Sequence, residues 1–174
     1  MKMFKKLMAV ALVGVMALSM LTGCAVTNAI AEDKAEAALE NAWKTVKNVD
    51  VNFKSLSVDS SVTSAIKNDI KNGTIQVKDG ETYMKPVAKD GKVYTVVVVT
   101  EPKSATKYNN WKNIAADVLK AAGWENGVYL DGTTNKTAKV DVTVDLEGKD
   151  KTDNNKKDTY AMFVFAQNDK AYGK

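Results

Sequence analysis

The chain predicts an α+β domain: a two-layer arrangement with a mainly antiparallel sheet and about three helices packed on it. Three observations carry that expectation. Asp79-Gly80 and Asp90-Gly91 punctuate strand-like segments, as hairpin turns do. The run Val93-Tyr94-Thr95-Val96-Val97-Val98-Val99 is apolar on both parities, which marks an interior strand. Trp111, Ile114, Ala115, Val118, Leu119 and Ala122 recur with the helical period. Because hairpins dominate, the helices are expected to share one face of the sheet.

The elements follow in order. Glu32 to Asn48 reads as a helix, with Ala35, Leu39, Ala42, Trp43 and Val46 on one stripe and Glu40 four residues before Lys44. Val49, Val51 and Phe53 alternate as a strand, and Leu56 and Val58 continue it with opposite parity. Asp59 is a suitable N-cap for a second helix whose apolar face is Val62, Ala65, Ile66 and Ile70, with Gly73 at the C′ position. Thr74 to Lys78, Glu81 to Ala88 and Val93 to Glu101 read as three hairpin-linked strands. Pro86 pushes its strand towards an edge. The third helix covers about Asn109 to Ala122 and stops at Gly123. Val128 to Leu130 is a short strand. Ala138 to Leu146 is a longer one, with Val140, Val142, Val144 and Leu146 inward. Asp158 to Gln167 closes the sheet.

Ahead of this domain stands a different kind of sequence. Lys2, Lys5 and Lys6 precede an uncharged, mostly apolar run from Leu7 to Leu21, and Leu21-Thr22-Gly23-Cys24 follows. A basic n-region, an apolar h-region and small residues before a break form a secretory signal peptide. The Leu-Thr-Gly-Cys ending resembles the lipobox of bacterial lipoprotein precursors. That resemblance implies a diacylglyceryl group on the thiol of Cys24, the only cysteine, and cleavage just before it. Two lipid chains, at about 0.8 kcal/mol per buried CH₂, hold a protein stably on a bilayer. The competing reading is an uncleaved transmembrane helix, since no charge appears between Leu7 and Ala31. Thr22, Gly23, Thr27 and Asn28 weaken its second half. The expected organisation is residues 1–23 as signal, residues 24–31 as lipidated cysteine and short tether, and residues 32–174 as a single domain.

Composition excludes more chemistry than it suggests. The mature chain would have 151 residues, enough for one domain with a proper core. It would carry 22 lysines against 21 acids, so it has no electrostatic footprint for nucleic acid. Arginine is absent, which weighs against bidentate phosphate recognition. Histidine is absent too, which removes histidine-dependent catalytic triads, histidine general bases and every histidine-containing metal site. With Cys24 lipidated, neither a thiol nucleophile nor a structural disulfide remains. No cofactor is expected.

The candidate chemistry is sparse. Ser64-Ala65-Ile66-Lys67 and Ser104-Ala105-Thr106-Lys107 match Ser-x-x-Lys, a motif of penicillin-binding proteins. In a lysine-rich chain a chance match is expected. The companion Lys-Thr-Gly is missing, because Lys136-Thr137-Ala138 departs from it at the glycine. The stretch Asp145 to Asp158 holds Asp145, Glu147, Asp150, Asp153 and Asp158, oxygen ligands that suit calcium. Lysines interleave them, and no frame has EF-hand spacing, so a solvated hairpin connection is the simpler reading. Glu101, Glu125 and Asp131 are the acids that a paired-carboxylate hydrolase would need to bring together across a cleft. Trp124, Tyr129 and Tyr108 flank the third helix and suit an aromatic sugar platform, although packing beneath loops is the plainer role.

The function expected from all this is a lipid-anchored protein on the extracytoplasmic face of a cell membrane, with a non-catalytic domain that contacts a cell-envelope protein or wall polymer. The alternatives are a small-ligand, glycan or calcium-binding module, and a carboxylate-dependent hydrolase.

Overall fold

The structure is a computed structural model that describes residues 27–45, 52–123, 137–149 and 157–166. Residues 27–45 are helical (helix α1), followed by strand β1 (Asn52–Ser55) and helix α2 (Ser60–Lys71). Strands β2 (Tyr83–Lys89) and β3 (Lys92–Thr100) come next, then helix α3 (Trp111–Ala121) and strands β4 (Thr137–Lys149) and β5 (Lys157–Ala166). The five strands form one sheet in the order β1-β4-β5-β3-β2. Four of them pair antiparallel, and β1 joins β4 in parallel at one edge. This is the expected α+β class, with three helices packed on a mainly antiparallel sheet.

Local chemistry explains the elements that match. Asp59 caps α2 by accepting from the Ser61 N–H at 2.8 Å. Gly73, with φ 72°, stands at its C′ position and donates to Ile70 O at 3.0 Å. Asp90 and Gly91 both have positive φ, 50° and 74°, and link β2 to β3 as a two-residue turn flanked by the Lys89–Lys92 pair. Pro86 lies in the edge strand β2, as its missing donor requires.

The doubly apolar valine run is explained by a sheet packed on both faces. Val97 and Val99 of β3 join Phe163, Phe165 and Val142 beneath α1 and α3, where Leu39, Trp43, Ile114 and Val118 complete the layer. Val96 and Val98 point the other way, to a second layer with Val62, Ile66 and Ile70 of α2. The helices therefore divide between the two faces: α1 and α3 cover one, and α2 covers the other. All four valines have 0 % exposure. Trp111 packs edge-on against Phe163, with centroids 6.4 Å apart, and Phe53 does the same with Phe165 at 6.3 Å.

Five expectations are corrected. The helices do not share one face, so the expected two layers are three, with the sheet between α1 and α3 on one side and α2 on the other. The first helix already includes residue 27, upstream of Glu32, so most of the expected tether is helical. Residues 74–78 are not a strand. Ile75 and Val77 bury themselves in the α2 layer without joining the ladder. β5 is not a closing edge but the middle strand of the five. Leu146 does not share a face with Val140, Val142 and Val144. The β4–β5 register shifts between Thr143 and Leu146, so two intervening residues of β4 oppose one of β5. This β-bulge, with Asp145 at φ 58°, turns Leu146 towards the α2 layer. The expected Val128–Leu130 strand lies outside the described residues, as do Val46, Val49 and Val51.

Candidate functional site

The bulge in β4 is where one predicted acid finds its use. Glu101, just past the end of β3, donates its own N–H to Thr159 O at 3.1 Å. Its carboxylate Oε1 accepts the Asp145 N–H at the bulge. Burial pushes the Glu101 carboxyl above its ordinary value, the Asp145 N–H lowers it, the Asp145 charge raises it and Lys103 lowers it. Glu101 is thus a half-buried acid that fastens a strained turn. Glu125 and Asp131, its proposed partners, lie outside the described residues.

Three further carboxyls are raised in the same way. Glu32 and Glu36 of α1 are raised first by burial, then by the charges of Asp141 and Asp33 respectively. Asp141 of β4 is raised by burial and lowered by Lys67. For each, the folded state holds its proton more tightly than the unfolded chain. Their contribution to stability is fully present below the unfolded values, about 4.5 for glutamate and 3.8 for Asp141, and is lost as pH rises through the higher folded values. The exposed N-cap Asp59 runs the other way: its lowered carboxyl contributes above 3.8 and the contribution fades as pH falls through the depressed value. The urea midpoint is therefore expected to fall as pH rises from the unfolded values through the raised folded ones, up to neutral pH. Glu101→Gln should reduce that fall and leave the chain no less stable at neutral pH. A midpoint that does not fall over this range in the unmodified chain would contradict this.

Of the two Ser-x-x-Lys matches, the second lacks the helical spacing of the motif. Ser104 and Ala105 form a turn, with Ala105 at φ 65°, so Lys107 is not one helical turn from Ser104. Lys107 instead ties separate pieces together. Its Nζ donates to Gly80 O at 3.1 Å and to Asp117 Oδ2 at 3.2 Å. Asp79 explains why its Asp-Gly turn is not a hairpin: its carboxylate accepts the backbone N–H groups of Lys107 and Tyr108, at 2.5 and 3.0 Å. Tyr108 is fully buried and donates to Asp117 Oδ2 at 2.8 Å. Burial first, then the bond to Asp117, raises its phenol. A buried Tyr108 is not available to an exposed sugar platform, and Trp124 and Tyr129 lie outside the described residues. Ser64 and Lys67 do lie on α2, but Ser64 is exposed on its surface.

β4 and β5 pair as an antiparallel hairpin, and the described ends of the Asp145–Asp158 stretch, residues 145–149 and 157–158, lie on its two strands. Glu147 pairs with Lys157, and Asp158 with Lys103 at 3.1 Å. Asp150 and Asp153 lie outside the described residues. Among the described residues, no group of three acids is placed to hold a metal ion.

The same hairpin forms one side of a groove of about 410 Å³ against α2. Lys67, Asn68, Ile70 and Lys71 line it from the helix. Residues 145–149 of β4 and Lys157 of β5 line it from the hairpin. The groove depends on Gly148, because an added Cβ there would stand 2.9 Å from Ile70 O and 2.7 Å from Tyr160 Cε2. A bare backbone lets the strand run directly under the helix. Nothing in the sequence alone marks this groove. Its only local signals were Lys67 and Lys71 one helical turn apart and a glycine inside an otherwise regular strand.

No helix among the described residues is long and apolar enough to cross a membrane. No protein-family model matches the chain, and no curated protein and no solved structure matches it.

Proposed function

We propose that the chain is a membrane-anchored extracytoplasmic lipoprotein whose α+β domain binds an envelope component and performs no chemistry. The observation that carries the anchor is the order of Lys2, Lys5 and Lys6, the apolar run to Leu21, and Leu21-Thr22-Gly23-Cys24. Helix α1 includes residue 27, three residues after Cys24, a separation of at most about 11 Å of chain. A lipid on Cys24 would hold the domain against the bilayer surface.

Binding is favoured over catalysis because the described acids of the candidate chemistry are engaged in structural contacts. Glu101 holds the bulge amide, and Glu147 and Asp158 are paired with lysines. The alternative is a carboxylate-dependent hydrolase, favoured by the raised, half-buried carboxyl of Glu101. Hydrolysis of wall glycans or peptides by the purified chain, abolished by Glu101→Gln, would establish that alternative.

The anchor is tested at one atom. Cys24→Ala is expected to leave an uncleaved precursor without lipid. The unmodified chain should begin at Cys24, carry diacylglycerol by mass spectrometry and partition with membranes. A mature chain starting elsewhere with a bare Cys24 thiol would refute the proposal.

A further inference from the structure

The groove between α2 and the β4–β5 hairpin collects like charge. Four of the ten residues around it are lysines, against two carboxylates. One lysine pair is Lys67 and Lys71, four apart on α2, a spacing at which like charges destabilise a helix. The other is Lys149 and Lys157, directly opposed across the hairpin, where like charges destabilise a sheet. Each pair is unfavourable in its own element, and the two line the same groove.

Ordinary compensation accounts for part of this charge. Lys157 pairs with Glu147, and Asp141 lies within the field of Lys67. Lys71 sits in the last turn of α2, where a cation suits the helix dipole. Among the described residues, however, neither Lys71 nor Lys149 has a carboxylate partner, and both are exposed. The mature chain is almost neutral as a whole, so this is a local excess and not a consequence of net charge.

We infer that this groove binds a linear polyanion of the cell envelope, a polymer with one negative oxyanion per repeat, phosphodiester or uronate. The assignment rests on the reading of the domain as a binding module. The chemistry fits lysine and not arginine recognition. An ammonium is a mobile point charge that follows a chain of single charges, whereas rigid bidentate clamping of a terminal phosphate calls for a guanidinium. The aliphatic stems of the lysines, with the half-buried Leu146, offer apolar surface to the uncharged backbone of such a polymer. Affinity of this kind comes from displaced counterions and is steeply sensitive to salt.

The test uses the full chain purified from membranes in neutral detergent. The probes are poly(glycerol phosphate) and polygalacturonate, with dextran and single-stranded DNA as comparison polymers. Both polyanions are expected to bind, dextran is not, and raising the salt fourfold should weaken binding about tenfold or more. Joint Lys71→Gln and Lys149→Gln should weaken it by about tenfold and flatten the salt slope by about two charges. Joint Lys85→Gln and Lys112→Gln, equal in charge but outside the groove, should change it less than about twofold. Lysine acetylation of the unmutated chain should show Lys67, Lys71, Lys149 and Lys157 protected by polymer, a readout independent of how any variant folds. A preference for one polyanion identifies phosphodiester or uronate as the source. Failure of both to bind, equal weakening by the two variant pairs, unchanged acetylation, or tighter binding of DNA would each overturn the assignment. The mass of the Cys24 peptide from the same preparation reads the anchor separately. A lipidated chain that ignores both polyanions refutes the groove alone, and an unlipidated chain that binds them refutes the anchor alone.

Discussion

Val97→Asp is expected to abolish folding. Val97 has no exposed surface and pairs with Met84 on one side and Phe163 on the other. Its side chain belongs to the layer beneath α1 and α3. An aspartate there would bury a carboxylate with no cation among the residues of that layer. Burying an unpaired charge costs several kcal/mol even when the group escapes by taking up a proton, and a domain has only about 5–15 kcal/mol to lose. Met84→Asp changes the neighbouring residue in the same cross-strand row, but Met84 is 50 % exposed. Its carboxylate stays in water, and the expected cost is below about 1 kcal/mol. Urea denaturation of the two variants separates burial from mere strand propensity. Cooperative unfolding of Val97→Asp at a near-normal midpoint would show that β3 is not interior.

The same valines show how far sequence reasoning reaches. Val96 to Val99 are apolar on both parities, and that pattern alone requires an interior strand. It also contained the information that both faces of the sheet are covered, since Val96 and Val98 need a layer as much as Val97 and Val99 do. Placing all the helices on one face ignored half of that pattern. Capping residues were equally legible, because Asp59, Gly73 and Asp90-Gly91 act through neighbours within a few residues.

What was not legible depends on partners far away in the chain. Asp79-Gly80 has the composition of a hairpin turn, yet the Asp79 carboxylate serves the backbone of Lys107 and Tyr108. The bulge is hidden because Val140, Val142, Val144 and Leu146 alternate without interruption; the extra residue is visible only against the register of β5. Asp145 was a weak local hint, since aspartate tolerates left-handed backbone better than most residues. Its position after the interior strand marks Glu101 as a candidate catalytic acid. Its actual partner, the Asp145 amide, exists only because of the bulge. The groove is the extreme case, since its four lysines come from α2 and from a hairpin much later in the chain.

Gly148→Ala is expected to destabilise the domain by overpacking on the α2 side of the sheet. No left-handed backbone is needed at this position, so the effect is purely one of space. The new Cβ would meet Tyr160 Cε2 at 2.7 Å and Ile70 O at 2.9 Å. Tyr160 is 1 % exposed and enclosed by the α2 layer, so its ring has little room to turn away. Ile70 O is backbone, and it moves only if the end of α2 moves. Overpacking of this kind costs about 1–3 kcal/mol, which in a domain of this size lowers Tm by several degrees, roughly 2–4 °C per kcal/mol. Gly91→Ala is the contrasting case: nothing lies within 4 Å, but φ is 74°, so it should lose only the about 1–2 kcal/mol of left-handed strain. The two are told apart by what a second change restores. Tyr160→Leu removes the ring that the added methyl would strike, so it should cost less in the Gly148→Ala background than in the unmodified chain, and it should have the same effect with or without Gly91→Ala. Simple additivity of Gly148→Ala with Tyr160→Leu would mean that the strand does not run as closely beneath the helix as described, and that the groove is wider than its lining suggests.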